Sequence, residues 1–313
     1  MIELARVDTF SSEQQSAAVV GTVVAQLQQI LLGKPHQTTL ALACFLARGH
    51  LLIEDVPGVG KTTLAHALGA TLGLEWSRVQ FTSDLLPADI VGVSIFNADT
   101  HTFEFKHGPV FTSILLADEI NRAPPKAQSA LLEAMEESQV TVDGHSHALN
   151  EEFFVIATQN PADQLGAYPL PESQLDRFLV SMQLGYPDQH VERLLLEQGD
   201  TREATGTLES LISPSTIRQW RLQCQNIHVS GPVLDYVQSL LSATREASQG
   251  LSPRAGLGLV RLCRAYALIQ ARDHVLPDDV RDMFPALAAH RLTGRVSTGK
   301  ARALELLDQV PMP

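Results

Sequence analysis

Pro57, Gly58, Val59, Gly60, Lys61, Thr62 and Thr63 lie between an apolar run, Leu51 to Ile53, and a helical repeat of Leu64, Ala67, Leu68 and Leu72. A strand, a glycine-rich turn and a helix N-terminus together present unpaired backbone N–H groups at the positive end of a helix dipole, which suits a phosphate chain. Lys61 would reach the outer phosphates and the Thr62 hydroxyl would ligate Mg²⁺. Asp55 stands where the G-x-x-x-x-G-K-T pattern has its first glycine, so the strict string fails at that one position. The plainer reading is a strand-to-helix turn that binds nothing, and a second half of the site is needed to set it aside.

The stretch SILLADEIN, Ser113 to Asn121, supplies that half. Its apolar run closes on Asp118 and Glu119, as expected of a central parallel strand delivering carboxylates to its C-terminal edge. Asp118 would hold Mg²⁺ through water and Glu119 would polarise the attacking water, because phosphoryl transfer depends mainly on positioning and charge stabilisation. An acidic pair after a strand also serves as a helix cap, and Lys61 and Thr62 upstream weigh against that use. A further strand, Phe153 to Pro161, carries Asn160 at its end, whose amide could orient the same water. Asn before Pro also shapes turns.

Two arginines extend the set. Arg177 ends a short helix ahead of another apolar strand. A cation at that edge could stabilise charge on a nucleotide held by an adjacent subunit, an effect worth roughly 10³–10⁵ in rate. Its alternative is an intrachain pair with Asp176 or Glu172. Ser252 as N-cap and Pro253 at the first helical position put Arg254 in the first turn of a helix. A cation there costs roughly 0.3–1 kcal/mol unless an anion compensates, and a nucleotide phosphate would be that anion.

Composition limits what these residues serve. The 313 residues are enough for two domains with substantial cores, and 44% are apolar. No run approaches a membrane span, and the first residues, MIELARVDTFSSEQQ, lack the blocks of a signal peptide, so a cytoplasmic protein is expected. Cys44, Cys224 and Cys263 are too scattered for a metal cluster and read as free buried thiols. The net charge is −12, and it is uneven: residues 1–188 carry 9 Lys/Arg against 22 Asp/Glu, residues 189–313 carry 14 against 13. A negative field without a basic run argues against non-specific nucleic-acid binding. Arginines of the second part could instead meet the acidic part of a neighbouring copy, or simply be solvated.

In order along the chain, GHLLIEDVPGVGKTTLA, QFTSDLLPADIVG, GPVF, LLADEINRAPPKAQSALLEAMEE, VIATQNP, YPLPESQLDRF and SPRA make it resemble the MoxR family of AAA+ ATPases, over about Leu31 to Tyr186 and again at SPRA. The resemblance implies ATP and Mg²⁺ as cofactors. It gives Walker A roles to Gly58, Gly60, Lys61 and Thr62, Walker B roles to Asp118 and Glu119, sensor 1 to Asn160, the arginine finger to Arg177 and sensor 2 to Arg254. Asp55 in place of the first glycine is then a family trait. Arg122 could share the trans contact, and the base would lie near Leu32, Gly33 and Lys34.

The implied fold is an α/β AAA+ P-loop core with a central parallel sheet, residues 1–187, followed by a small all-α lid, residues 188–313. Alternating residues about Asn97–Asp99 read as a hairpin over about 91–108 interrupting the second helix. A second hairpin, about 139–149, turns at Asp143-Gly144. By resemblance these are the helix-two and pre-sensor-1 inserts, which line or cap a central pore and contact clients. His145 and His147 at the second tip read as solvated residues rather than metal ligands. After Asp188, apolar stripes predict helices near His190–Gln198, Pro214–Gln225, Pro232–Glu246, Pro253–Gln270 and Pro277–Leu292, with a short last one after Gly299. In Pro253–Gln270, Leu257, Val260, Ala265, Ala267 and Leu268 are expected inside, and Arg261, Arg264 and Arg272 outside or toward a partner.

ATP would thus be clamped between the core, the lid's Arg254 and a neighbour's Arg177 in a homo-oligomeric ring, commonly a hexamer in such families. The resemblance further implies chaperone-like action on a client protein, often through a partner with a von Willebrand factor A domain. A nucleic-acid motor, a nucleotide-gated scaffold without turnover and a chelatase-type motor are the competing readings.

Overall fold

A computed structural model describes residues 12–161, 167–198, 210–247 and 250–313. The first residues, read for a signal peptide, and the polar connector at Gly199–Gly206 lie outside them. Two helices, α1 (Ser12–Ile30) and α2 (Pro35–Leu46), precede β1 (Leu51–Glu54) and α3 (Lys61–Leu72). Then come β2 (Trp76–Gln80), α4 (Pro87–Val91), the β3 (Gly92–Asn97) and β4 (Thr102–His107) hairpin, β5 (Ile114–Asp118) and α5 (Pro125–Glu137). A second hairpin, β6 (Gln139–Val142) and β7 (His145–Ala148), leads to β8 (Phe154–Gln159), α6 (Glu172–Leu175) and β9 (Val180–Met182).

β2, β5, β8, β1 and β9 form one sheet in that order, parallel throughout. The apolar runs are continuous because both faces are covered, and each strand divides its residues between them. Ile53, Leu116 and Ile156 join an apolar cluster with α1, α2 and α3. Leu52, Leu115 and Val155 join a second one with α5. β5 is internal, but the middle position belongs to β8 rather than to the acidic strand.

The two inserts are hairpins. Asn97 pairs with Thr102, so the first turn sits slightly later than Asn97–Asp99, held by Asn97 Oδ1 accepting from the Asp99 and Thr100 N–H groups at 2.9 and 3.3 Å. The second turns at Asp143-Gly144, both at positive φ, as a two-residue hairpin requires. The helix expected to be interrupted is a single turn, α4, and is not resumed, because Gly108-Pro109 brings the chain straight back onto the Ile90 carbonyl.

After β9 the described residues are helical: α7 (Gln189–Gln198), α8 (Pro214–Asn226), α9 (Gly231–Ala247), α10 (Pro253–Ile269), α11 (Pro277–Thr293) and α12 (Val296–Gln309). Their apolar faces do not close on themselves. Trp220, Leu259, Leu262, Phe284 and Leu287 belong to the same cluster as Leu51, Ile53 and Val180. Leu257 corrects an expectation: it is 69% exposed, because α10 buries Ala255, Leu259, Leu262 and Cys263, and two residues' rotation carries Leu257 to the opposite side. Arg272 is likewise not free to face a partner, since it holds Asp279 in a two-pronged pair. The last helix starts before Gly299, which lies inside it, and a Cβ at Gly299 would stand 1.8 Å from the Ala289 carbonyl oxygen. Only glycine lets α11 and α12 approach so closely.

His290 on α11 sits at the joint between helices and sheet. Its Nε2 donates to the Phe178 carbonyl at 3.0 Å, which leaves Nδ1 to accept from the Ser181 hydroxyl at 2.8 Å. Burial, reinforced by Arg291, holds its pKa well below the ordinary value. Below about pH 6.5 the unfolded chain therefore takes up a proton that the folded chain refuses, and stability falls as pH falls, by up to about 1.4 kcal/mol per unit. Thermal unfolding followed by circular dichroism should show the midpoint dropping more steeply between pH 6.5 and 5 in the unaltered chain than in His290→Gln; equal slopes would remove His290 from this role.

Candidate nucleotide site

β1 delivers the chain to the turn Asp55–Gly60, and α3 leaves from it. Gly58 and Gly60 adopt φ of +85° and +98°, the left-handed region, and open space faces Gly58. Lys61 curls over this loop: its Nζ donates to the carbonyls of Asp55 at 2.8 Å and Val56 at 3.0 Å. Burial lowers its pKa, against the opposing pull of Asp118, Asp55 and Glu119. Pro57, Gly58, Val59, Gly60, Lys61, Thr62 and Thr63 border a cleft of about 740 Å³. Asp55, at the motif's first position and so a candidate nucleotide-binding residue, does not border it. Its carboxylate is turned inward, accepting from the Val56 N–H at 2.9 Å and the Gly185 N–H at 2.7 Å, and so ties the loop to the segment that leads into the helices.

Asp118 and Glu119 reach the same cleft from β5, and Asn160 from the end of β8. Asp118 and Glu119 are joined through a residue that the sequence did not single out. The Thr158 hydroxyl donates to Asp118 Oδ1 at 2.6 Å and accepts from the Glu119 N–H at 2.9 Å. Glu119 is held at φ +58°, in the left-handed region. Its carboxylate accepts from Gln80 at 3.0 Å and Arg122 at 2.9 Å. Arg122 thus pairs with its own chain's Glu119. Arg78, also unforeseen, donates to Asp118 Oδ2 through two nitrogens at 2.6 and 3.2 Å. Arg78 and Gln80 are two residues apart on the strand beside β5, and strand alternation is the signal that could have found them.

The rest of the lining is mostly apolar: Ile30, Leu31, Leu32, Leu195 and Leu196 stand beside Lys34 and Glu192, and Lys34 Nζ donates to the Tyr186 carbonyl at 2.7 Å. Leu32 and Lys34 lie in the region where the base was expected.

Arg177 and Arg254 do not join this cleft. Both bind one carboxylate: Glu136, at the end of α5, accepts from Arg177 at 3.0 Å and from Arg254 at 2.9 Å. Arg254, expected to reach the chain's own nucleotide, does not line that cleft in this structure. Ser252 caps α10 as foreseen, its hydroxyl accepting from the Ala255 N–H. α10 packs on α2 and α8 rather than over the loop after β1, so the anion that offsets a cation at the helix start is Glu136. Arg177 pairs with neither Asp176 nor Glu172; Asp176 is taken by the buried Arg291 at 2.7 Å.

Outside the cleft, the first hairpin exposes Phe96 and Phe103, the latter 73% exposed. His147 of the second hairpin stacks on Phe105 of the first, with centroids 4.0 Å apart. Among the described residues no group of three His, Cys, Asp or Glu could hold a metal ion, the three cysteines are free and buried, and no helix is long and apolar enough to cross a membrane.

The chain resembles known proteins over nearly its whole length. Residues 50–180 match the model of the ATPase family associated with various cellular activities (AAA), and residues 241–309 match the AAA lid domain. The YeaC protein of Bacillus subtilis is 44% identical, over 88% of this chain and 87% of its own. The chaperone MoxR1 of Mycobacterium tuberculosis is 38% identical, over 92% and 78%. The crystal structure of a Cytophaga hutchinsonii protein proposed to be an ATPase superposes with a TM-score of 0.85 at 33% identity, covering 96% of this chain and 97% of that one.

Thr158 is fully buried and bridges two strands, so removing its hydroxyl leaves the Glu119 N–H and one Asp118 oxygen without that partner. Thr158→Val should lower stability by roughly 1–3 kcal/mol, measured by urea unfolding. An unchanged midpoint would show the bridge to be dispensable.

Proposed function

The chain belongs to the MoxR family of AAA+ ATPases, and from that premise we propose that it hydrolyses ATP to ADP and phosphate at clefts shared between copies of itself. The observation that carries this reading is the separation of charges: the loop lysine and the carboxylates border one cleft, while Arg177 and Arg254 stand together on Glu136 elsewhere. Two cations sharing one carboxylate leave a positive edge with no phosphate of its own to meet. In a head-to-tail ring that edge would face the next copy's cleft, and a closed ring, such as a hexamer, satisfies every such contact without free ends. Arg254, Leu257 and Arg261, spaced on one exposed face of α10, are suited to be covered there.

Within the cleft, Gly58, Gly60 and Lys61 would hold the triphosphate by backbone N–H groups and one ammonium. Thr62 and Asp118 are an all-oxygen donor set that fits Mg²⁺. The metal, when bound, would offset charge on the phosphates. Glu119 would accept hydrogen bonding from the attacking water and Asn160 would orient it. Gln80 and Arg122 both bond its Oε2, so the water would be met at Oε1.

Hydrolysis would drive chaperone-like remodelling, maturation or activation of a client protein, with a von Willebrand factor A domain protein as partner. The Phe96 and Phe103 surface on the first hairpin supports a client-facing role, since exposed aromatic groups at a hairpin tip serve contact rather than packing. A client is remodelled only if the nucleotide states bind it with different affinity.

Equilibrium binding and phosphate-release assays test the cleft. Lys61→Ala should lose ATP binding, whereas Glu119→Gln should bind ATP normally and turn it over at least a hundredfold more slowly. Normal ATP affinity in the first variant would refute the loop assignment, and undiminished turnover in the second would remove Glu119 from its role. Mixed rings test the sharing of the site. Subunits carrying Arg177→Ala or Arg254→Ala, each inactive alone, should regain part of their ATPase activity when combined with Lys61→Ala subunits; an absence of rescue would place those arginines in their own chain's chemistry.

A further inference from the structure

Arg78 lies on β2, where the parallel register sets Arg78 beside Leu116 and Gln80 beside Asp118 on one face of the sheet. Its guanidinium covers the Oδ2 face of Asp118 through Nε and one terminal nitrogen, and that terminal nitrogen also donates to Gln80 Oε1 at 3.2 Å. Asp118 Oδ1 is taken by Thr158. The carboxylate assigned to the divalent cation therefore has its open face held by a fixed monovalent cation. Arg78 is 48% exposed at the rim of the cleft, so the pair is solvent-screened and easily exchanged. With Arg254 held on Glu136, Arg78 is the one arginine among the described residues that line the cleft.

We propose that Arg78 is the cleft's own phosphate-positioning cation: it holds Asp118 in the nucleotide-free chain and transfers to a terminal phosphate oxygen when a magnesium nucleotide enters. Two facts make this exchange favourable. Mg²⁺ brings the larger charge to Asp118, and the triphosphate brings oxygens that a guanidinium bonds in the same forked manner as a carboxylate. Gln80 follows, because the Arg78–Gln80 bond and the Gln80–Glu119 bond form one chain. Departure of Arg78 frees Gln80 to turn and so loosens its hold on Glu119. The arrival of the terminal phosphate would thereby be reported to the water-polarising carboxylate through two side chains of the neighbouring strand.

This rests on the nucleotide-binding reading of the same cleft, and the experiment separates the two. Fluorescent ADP is titrated into the full chain at increasing Mg²⁺, and the affinity for a non-hydrolysable ATP analogue is measured at saturating Mg²⁺. Binding of ADP by the unaltered chain reports on the cleft itself. Arg78→Gln should shift the two readouts in opposite directions. The Mg²⁺ concentration for half-maximal ADP binding should fall several-fold, because the competing cation is gone. The affinity for the ATP analogue should drop about tenfold relative to ADP, because a terminal-phosphate contact is lost. Damage to the fold would weaken both, and Arg78→Lys, which keeps a cation, should restore the preference for the triphosphate in part. An unchanged or raised Mg²⁺ requirement, or equal effects on ADP and the ATP analogue, would overturn the proposal.

Discussion

Backbone hydrogen bonding between β1, β8 and β5 sets everything else in place. The three strands are buried on both faces, so a slip of one residue would turn every apolar side chain toward the wrong layer, and the register is fixed by that penalty. With Ile53 opposite Thr158 and Leu116 opposite Ile156, the loop after β1, the acidic pair after β5 and Asn160 after β8 must emerge at one edge. Thr158 then fastens Asp118 to Glu119 across two of these strands. The chemistry of the cleft is a consequence of where hydrogen-bonded strands stop.

Much of this was legible in the residue pattern. Continuous apolar runs ending in glycines, in Asp-Glu and in Asn can be read one strand at a time, and a turn such as Asp143-Gly144 carries its conformation in its own residue types. The helices after Asp188 announced themselves through their caps and apolar stripes. What escaped was whatever depends on which elements become neighbours. Arg78 and Gln80 look like ordinary residues of a partly exposed strand until β2 is known to pair with β5. Leu257 was misplaced although the rest of its stripe was not, because Ala255 and Leu259, two residues to either side and so about 200° around the helix, are the ones that face inward. The place of Arg254 in the first helical turn is visible in sequence, whereas its pairing with Glu136 depends on the direction in which α10 points, which is decided by packing against α2 and α8.

Asp55 shows the same limit at a single position. Counting along a motif puts it in the loop, and the sequence alone does not reveal that its two oxygens are spent on the N–H groups of Val56 and Gly185. A glycine there would leave both donors unpaired. The carboxylate links the loop to Gly185, in the segment that carries Tyr186 to the cleft.

The helices that follow the sheet share its apolar interior, with Leu259, Phe284 and Leu287 packed in the same cluster as Ile53 and Val180. Prising them apart would wet that surface, at about 25 cal/mol for every Å² exposed. Among the described residues, bending at that joint would have to expose part of this shared surface. The apolar seam thus acts as mortar between sheet and helices, and any change of angle between them is opposed by the water it would let in.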